Sequence, residues 1–257
     1  MEERASGAAT RSAPQLSIVL ALLNERPSLP ELFGRLAAVA LPPWEAIVVD
    51  DGSTDGSREY LQKLAARDPR VRLIFHDARQ TTVGAQCVAI EAARGRYVAI
   101  MDSDLQHPPE LLAPLVRALD DGAALAIASR YAPGGTPGRR SIPRWLISRG
   151  AELTARTLLA PARRVADPVS GFFVFRREAF VPLAKGQRGY KLLLFLLVMT
   201  RTMPVREVPF HFEPRTEGAS KVARGLSFVR VFLVEVVQAR RLARRLAASA
   251  APPSASA

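Results

Sequence analysis

The chain has 257 residues, 48% of them apolar, which is enough to bury one substantial core with tails on either side. A formal charge of +12 favours an anionic partner such as a membrane surface, phosphate groups or nucleic acid, although only four of the 36 basic residues are lysine. The single cysteine, Cys87, excludes an internal disulfide and fits a reducing compartment, where a small buried core role is the default.

The first fourteen residues and the stretch 248–257 are rich in Ala, Ser and Pro, so both are expected to be disordered tails. From Leu16 onward, short β-branched runs alternate with amphipathic stretches, the pattern of a parallel sheet with crossover helices. Strands are expected at Ser17 to Leu23, Ala46 to Val49, Val71 to Phe75, Tyr97 to Met101 and Ala123 to Ala128. Helices fill the intervals around Leu29 to Ala40, Ser57 to Arg67, Val83 to Arg94 and Pro108 to Leu119. Polar residues gather at strand ends: Asn24 and Glu25 after the first, Asp50 and Asp51 after the second, Asp102 and Asp104 after the fourth. In an open α/β sheet these positions converge on one crevice.

After Tyr131 a Pro- and Gly-rich stretch marks a loop, followed by a helix from about Pro143 to Leu159. Eight arginines face one acid, Glu152, between Arg130 and Arg164. Most of these arginines read as a solvated or lipid-facing surface. A strand at Gly171 to Phe175, a helix at Tyr190 to Thr202 and a strand at Val205 to Phe212 come next. The last helix, Leu226 to Ala247, joins an apolar face to Arg240, Arg241, Arg244 and Arg245, which suits either a membrane surface or the domain's own core. The longest apolar run, Leu192 to Met199, falls well short of the roughly 18 to 20 residues that span a bilayer. With no secretory leader, the expectation is a protein peripheral to the inner face of a membrane, on the cytoplasmic side.

The chemistry centres on Asp102-Ser-Asp104-Leu-Gln106. Two carboxylates two residues apart repel one another unless a cation lies between them, and Mg²⁺ or Mn²⁺ would accept both carboxylate and diphosphate oxygens. Taken alone, the same motif also reads as a helix cap plus a solvated acid. The second acidic pair, Asp50 and Asp51, is suited to a base edge or ribose hydroxyl, with Thr54 or Asp55 left to cap the following helix.

Together these segments resemble the family 2 glycosyltransferases of the GT-A fold, above all the dolichyl-phosphate mannosyltransferases and related polyprenyl-phosphate sugar transferases. The resemblance rests on Asn24-Glu25, on Asp50-Asp51-Gly-Ser53 and on Asp102-Ser-Asp-Leu-Gln-His-Pro-Pro-Glu110. Ser129-Arg-Tyr131, Asp167-Pro-Val-Ser-Gly-Phe172 and Arg215-Thr-Glu-Gly-Ala-Ser-Lys221 extend it. It implies a GT-A domain over 15–224, Rossmann-like with a mostly parallel sheet flanked by helices, followed by an amphipathic, membrane-surface helix over 225–247.

The resemblance also implies roles. Asp102, Asp104 and Gln106 bind the metal, and Asp104, Arg215 and Lys221 carry catalysis. Asn24, Glu25, Asp50, Asp51, Asp102, Arg215, Ser220 and Lys221 bind the donor. Arg130 and Arg144 hold the acceptor phosphate. Arg79-Gln-Thr-Thr-Val-Gly84 departs from the family's usual Arg-Asn-X-Gly, which puts contacts there in question.

A hydroxyl acceptor needs a general base, and no carboxylate occurs between Glu178 and Glu207. A phosphate monoester, with a second pKa near about 6, is already mostly dianionic at neutral pH. The expected reaction is inverting transfer of a hexose, mannose from GDP-mannose first, to a polyprenyl or dolichyl phosphate. UDP-glucose as donor, or a soluble transferase acting on a hydroxyl, are the alternatives. The partners implied are a nucleotide sugar, a lipid-linked phosphate and a membrane surface, with room for a separate membrane subunit. Nucleic acid is not expected, since aromatics are 7% of the chain and a binding module has no use for Asp102 and Asp104.

Overall fold

The computed structural model describes residues 13–76, 80–138, 142–183, 189–212 and 225–249, with backbone alone at 142–145 and 225–228. Seven strands form one sheet: β1 (Leu16–Leu22), β2 (Trp44–Asp50), β3 (Val71–Phe75), β4 (Tyr97–Met101), β5 (Leu125–Ser129), β6 (Phe173–Arg176) and β7 (Val205–Pro209). Seven helices accompany them: α1 (Leu29–Ala38), α2 (Ser57–Arg67), α3 (Thr82–Ala92), α4 (Leu112–Asp120), α5 (Ile142–Leu158), α6 (Leu192–Met199) and α7 (Gly225–Ala248). The strand order is β3-β2-β1-β4-β6-β5-β7. Every pairing is parallel except those of β6, which runs antiparallel to both β4 and β5.

Alternation along the strands builds two cores, one on each face of the sheet. Leu16, Ile18, Leu20 and Leu22 of β1 pack toward α1 and α4, whereas Val19 joins Ile47, Val98 and Phe173 on the face covered by α3, α6 and α7. Because both faces are covered, β4 and β5 are almost wholly apolar, and the polar Ser17 of β1 and Glu45 of β2 are buried and bonded to each other. The leucine-rich α6 is buried on all sides, which explains its lack of a polar face. Arg164 caps its far end by donating to the carbonyls of Thr200, Arg201 and Met203.

The arginine-rich stretch is largely surface, with Arg149, Arg163 and Arg164 exposed, and its guanidiniums also make local bonds. Arg163 donates to the carbonyls of Arg156 and Thr157, and Glu152, almost fully buried, is paired by Arg149 and lies 3.7 Å from Arg156. Arg163 and Arg164 thus tie down helix ends through their tips while remaining exposed. Helix α7 serves two environments on opposite sides. Phe232, Val236 and Ala239 are buried in the core, while Val229, Leu233, Val234 and Val237 are exposed. Among the described residues, no helix is long and apolar enough to cross a membrane.

Candidate active site

The sheet order places the functional crevice. Strands β2 and β3 lie on one side of β1 and β4 on the other, so the direction of winding reverses between β1 and β4. Ligands bind beyond the carboxyl ends of strands at such a switch point. Asn24 follows β1 and Asp102 follows β4, and Ser28 joins the two ends by donating its hydroxyl to the Ser103 carbonyl at 2.7 Å.

The turn after β4 is shaped for its carboxylates. Leu105 adopts φ 63°, a left-handed conformation that costs a side-chain-bearing residue roughly 1 to 2 kcal/mol. The turn is tightened by the Gln106 N–H, which donates to Asp104 Oδ1 at 3.1 Å. Asp104 is nearly buried, whereas the Asp102 side chain is half exposed, at 50%. The backbone N–H of Asp102 donates to His107 Nδ1 at 2.9 Å, so that nitrogen carries a lone pair. Burial lowers the His107 pKa below its ordinary value, outweighing the pull of Asp102 and Asp104, and a neutral ring results. His107 is stacked on Phe172 and braces the turn from beneath.

No arginine or lysine among the described residues makes an ion pair with Asp102. An open carboxylate beside a buried one, with hard oxygen donors and the Gln106 amide two residues on, suits Mg²⁺ or Mn²⁺. Gly171 completes the floor: a Cβ there would come within 3.1 Å of His107 and 3.5 Å of the Asp102 carboxylate.

On the β2 side of the crevice, Asn24 has φ 55° and is locked by two bonds, its N–H to Ser53 and its Oδ1 from the Thr54 N–H. The Glu25 N–H donates to Ser57 Oγ. The N-cap of α2 is Gly56, with no side-chain cap, so neither Thr54 nor Asp55 caps the helix as expected; Asp55 instead accepts from the N–H and the hydroxyl of Ser57 and from the Arg26 N–H. Asp50 and Asp51 are more occupied than their pattern suggested. Asp50 is buried, accepting from the Ser53 N–H and from Arg58 Nε, while Asp51 accepts from the Gln80 N–H and lies 2.9 Å from His76 Nδ1. His76 thus has a partner that the sequence did not name. The departure from the family pattern around Gln80 is part of the same contact.

On the other side of Asp102, Arg130 is nearly buried. Its Nε and Nη2 donate to the two oxygens of Asp167 at 2.6 and 2.7 Å, and its backbone N–H reaches the same carboxylate. Burial acts against the guanidinium, but the Asp167 bonds prevail and raise its pKa. Asp167 is itself aligned by Glu207, which accepts the N–H groups of Ala166 and Asp167. Arg144 lies in α5, but its side chain falls outside the described residues, as do Arg215, Ser220 and Lys221 entirely.

Three groups were missed by sequence reasoning. Asp167, part of a sequence motif but given no role there, holds Arg130. Lys191, at the head of α6, donates Nζ to the Val169 carbonyl at 2.9 Å. Glu235 of α7, fully buried, accepts the N–H groups of Tyr190 and Lys191 at 2.6 and 2.7 Å. Burial lifts the Glu235 carboxyl to about 7 despite those bonds. Rarity was the one available signal for Lys191, among four lysines in so arginine-rich a chain. Cys87, in contrast, is a partly buried thiol packed against the core, pushed up to about 12 by burial and then Glu91, which keeps it protonated.

A mostly parallel sheet with an acidic turn at its switch point is an arrangement of GT-A type, and the chain matches the family model "Glycosyl transferase family 2" over residues 17–182. The chain belongs to that family and is a glycosyltransferase. It is 37% identical over 209 residues to a dolichol-phosphate mannosyltransferase of Pyrococcus furiosus, an alignment covering 81% of this chain and 59% of that protein. It is 34% identical to a polyprenol monophosphomannose synthase of Mycolicibacterium smegmatis, covering 84% of each. In fold it is similar to glucosyl-3-phosphoglycerate synthase from Mycobacterium tuberculosis, solved with Mn²⁺, UDP-glucose and phosphoglyceric acid. That likeness has a TM-score of 0.65 at 20% identity, over 89% of this chain and 80% of the other.

Proposed function

We propose that the protein transfers mannose from GDP-mannose to a polyprenyl or dolichyl phosphate, with inversion at the anomeric carbon. The observation that carries this reading is the cationic acceptor side of the crevice. Arg130 is held rigidly there, and the Asp167 carboxylate is engaged through both oxygens and so is not free to act as a base. Glu235 is buried beneath the start of α6 and bound to backbone N–H groups, which does not suit it to abstract a proton from substrate. A phosphate dianion requires no such base, only orientation and charge relief.

In the proposed reaction a phosphate oxygen attacks the anomeric carbon as the bond to the nucleoside diphosphate oxygen breaks, and the electron pair leaves with the diphosphate. Arg130 and Arg144 orient the acceptor, and Arg215, Ser220 and Lys221 contact the donor phosphates. Asp102, Asp104 and Gln106 would hold Mg²⁺ or Mn²⁺, which relieves the charge of the leaving diphosphate when bound. The exposed apolar stripe of α7, with exposed Leu146 and Leu153 of α5, supports a peripheral position on a membrane, assigned here to the inner face.

The test is incubation of purified protein with polyprenyl phosphate, Mg²⁺ or Mn²⁺, and each labelled nucleotide sugar in turn. Mannosyl transfer from GDP-mannose, abolished by chelator, is expected. Transfer from UDP-glucose alone would overturn the donor assignment, and transfer only to water-soluble hydroxyl acceptors would overturn the acceptor.

A further inference from the structure

We propose that Lys191 is a phosphate-binding residue of the transfer site, its ammonium holding the acceptor phosphate between Arg130 and Asp102. This rests on the lipid-phosphate reading above and adds a third cation to the two that the sequence pointed to.

A single five-residue segment, Asp167 to Gly171, brings the groups together. Asp167 grips Arg130, the Val169 carbonyl receives the Lys191 ammonium, and Gly171 lies against the Asp102 carboxylate and His107. Lys191 therefore reaches the crevice from the β6 side of Asp102, opposite the Asn24 and Asp50 end assigned to the nucleotide. That position favours the acceptor phosphate over the base or ribose.

Its backbone is fixed from behind. Glu235 accepts the N–H groups of Tyr190 and Lys191, and Gly189 has no room for a side chain because a Cβ would run into the Glu235 carboxyl. Helix α7 thus determines where Lys191 emerges at the head of α6. Two cations facing one buried region repel each other, and that repulsion is relieved when a dianion enters. Burial first and then Arg130 lower the Lys191 pKa, against the opposing pull of Asp102, Asp167 and Glu235. A lysine also suits the task, since an ammonium has three donors and one is directed at Val169.

The competing explanation is that Lys191 merely staples the Val169 loop. Lys191→Gln separates the two, because the amide still donates to the Val169 carbonyl but carries no charge. Acceptor and donor kinetics are measured with a short-chain polyprenyl phosphate, GDP-mannose and Mg²⁺, and GDP affinity by calorimetry. The expected result is a loss of about ten- to a hundredfold in kcat/KM for the acceptor, GDP affinity within about twofold of wild type, and partial recovery in Lys191→Arg. Unchanged acceptor kinetics, or an equal loss of GDP affinity, would overturn the assignment.

Should Lys191→Gln fail to fold, amine-reactive labelling of the wild-type chain decides. Mass spectrometry distinguishes Lys191 from Lys63, Lys185 and Lys221, and protection of Lys191 by polyprenyl phosphate is expected. Unchanged labelling would overturn the proposal. A wild-type chain that transfers to no prenyl phosphate would instead defeat the function reading, a separate result.

Discussion

Glu45 and Asp102, at opposite ends of the sheet, are carboxylates in opposite circumstances. At the amino ends of the strands, Glu45 is almost fully buried and accepts from the Ser17 hydroxyl, the Arg94 N–H and Arg72. Gly95 closes that corner, where a Cβ would come within 2.6 Å of the Ser17 backbone nitrogen. At the carboxyl ends, Asp102 is half exposed, has no arginine or lysine ion pair among the described residues, and lies on a turn strained at Leu105. A buried charge matched bond for bond contributes to the fold. An open charge on a strained turn does not, and is maintained for a ligand. Substitutions at the two ends are therefore expected to affect different observables.

The largest effect is expected on the Asp102 turn, at its nearly buried second carboxylate, Asp104. Asp104→Asn should lower transfer by about 10³- to 10⁴-fold, or about 4 to 5.5 kcal/mol in the barrier. Thermal stability should stay near wild type. Retention of a tenth of wild-type turnover at saturating metal would refute the metal assignment, and a collapse of stability would place Asp104 with the structural carboxylates.

Arg130 and Asp167 mix the two characters and so test the comparison most sharply. Arg130→Ala leaves Asp167 fully buried without its cation, a change typically costing about 3 to 4 kcal/mol. Acceptor kinetics on that variant alone would confuse lost binding with lost folding. Adding Asp167→Asn removes the stranded charge, so the pair should regain much of the stability measured by denaturant titration without regaining transfer. If the double variant transfers normally, Arg130 is structural and the acceptor assignment fails.

How far the sequence revealed this division depended on the kind of residue. β3, β4 and α2 were legible to the residue because Val71 to Phe75, Tyr97 to Met101 and Ser57 to Arg67 are bounded by polar or turn-forming residues. The insertion of β6 antiparallel between β4 and β5 was not legible, since periodicity reports that a strand exists but not which neighbours it joins. Asp102 and Asp104 were legible because a local motif carries their chemistry. Glu235 and Lys191 were not, because their significance arises from a contact between helices far apart in sequence. Asp50 lay between these cases: its position at a strand end was readable, but its ion pair with Arg58 depends on how α2 packs back on the sheet.

The smallest effect is expected at the closed end, in Glu45→Gln. The amide keeps an oxygen for Ser17 or the Arg94 N–H but turns donors toward Arg72, so about 1 to 2 kcal/mol of stability should be lost with turnover unchanged at neutral pH. The loss should depend on pH in a definite direction. Burial alone would raise the Glu45 carboxyl, but the bonds from Ser17, Arg94 and Arg72 prevail and hold it below its ordinary value of 4.5. Its contribution is therefore complete above that value, where the unfolded carboxyl is also ionised, and disappears as pH falls through the lower folded pKa. Denaturant titrations of wild type and variant should diverge at neutral pH and converge in acid. A variant equally destabilised at every pH would show that the ionised state of Glu45 contributes nothing, and a variant that lost turnover while keeping its stability would place Glu45 among the functional carboxylates.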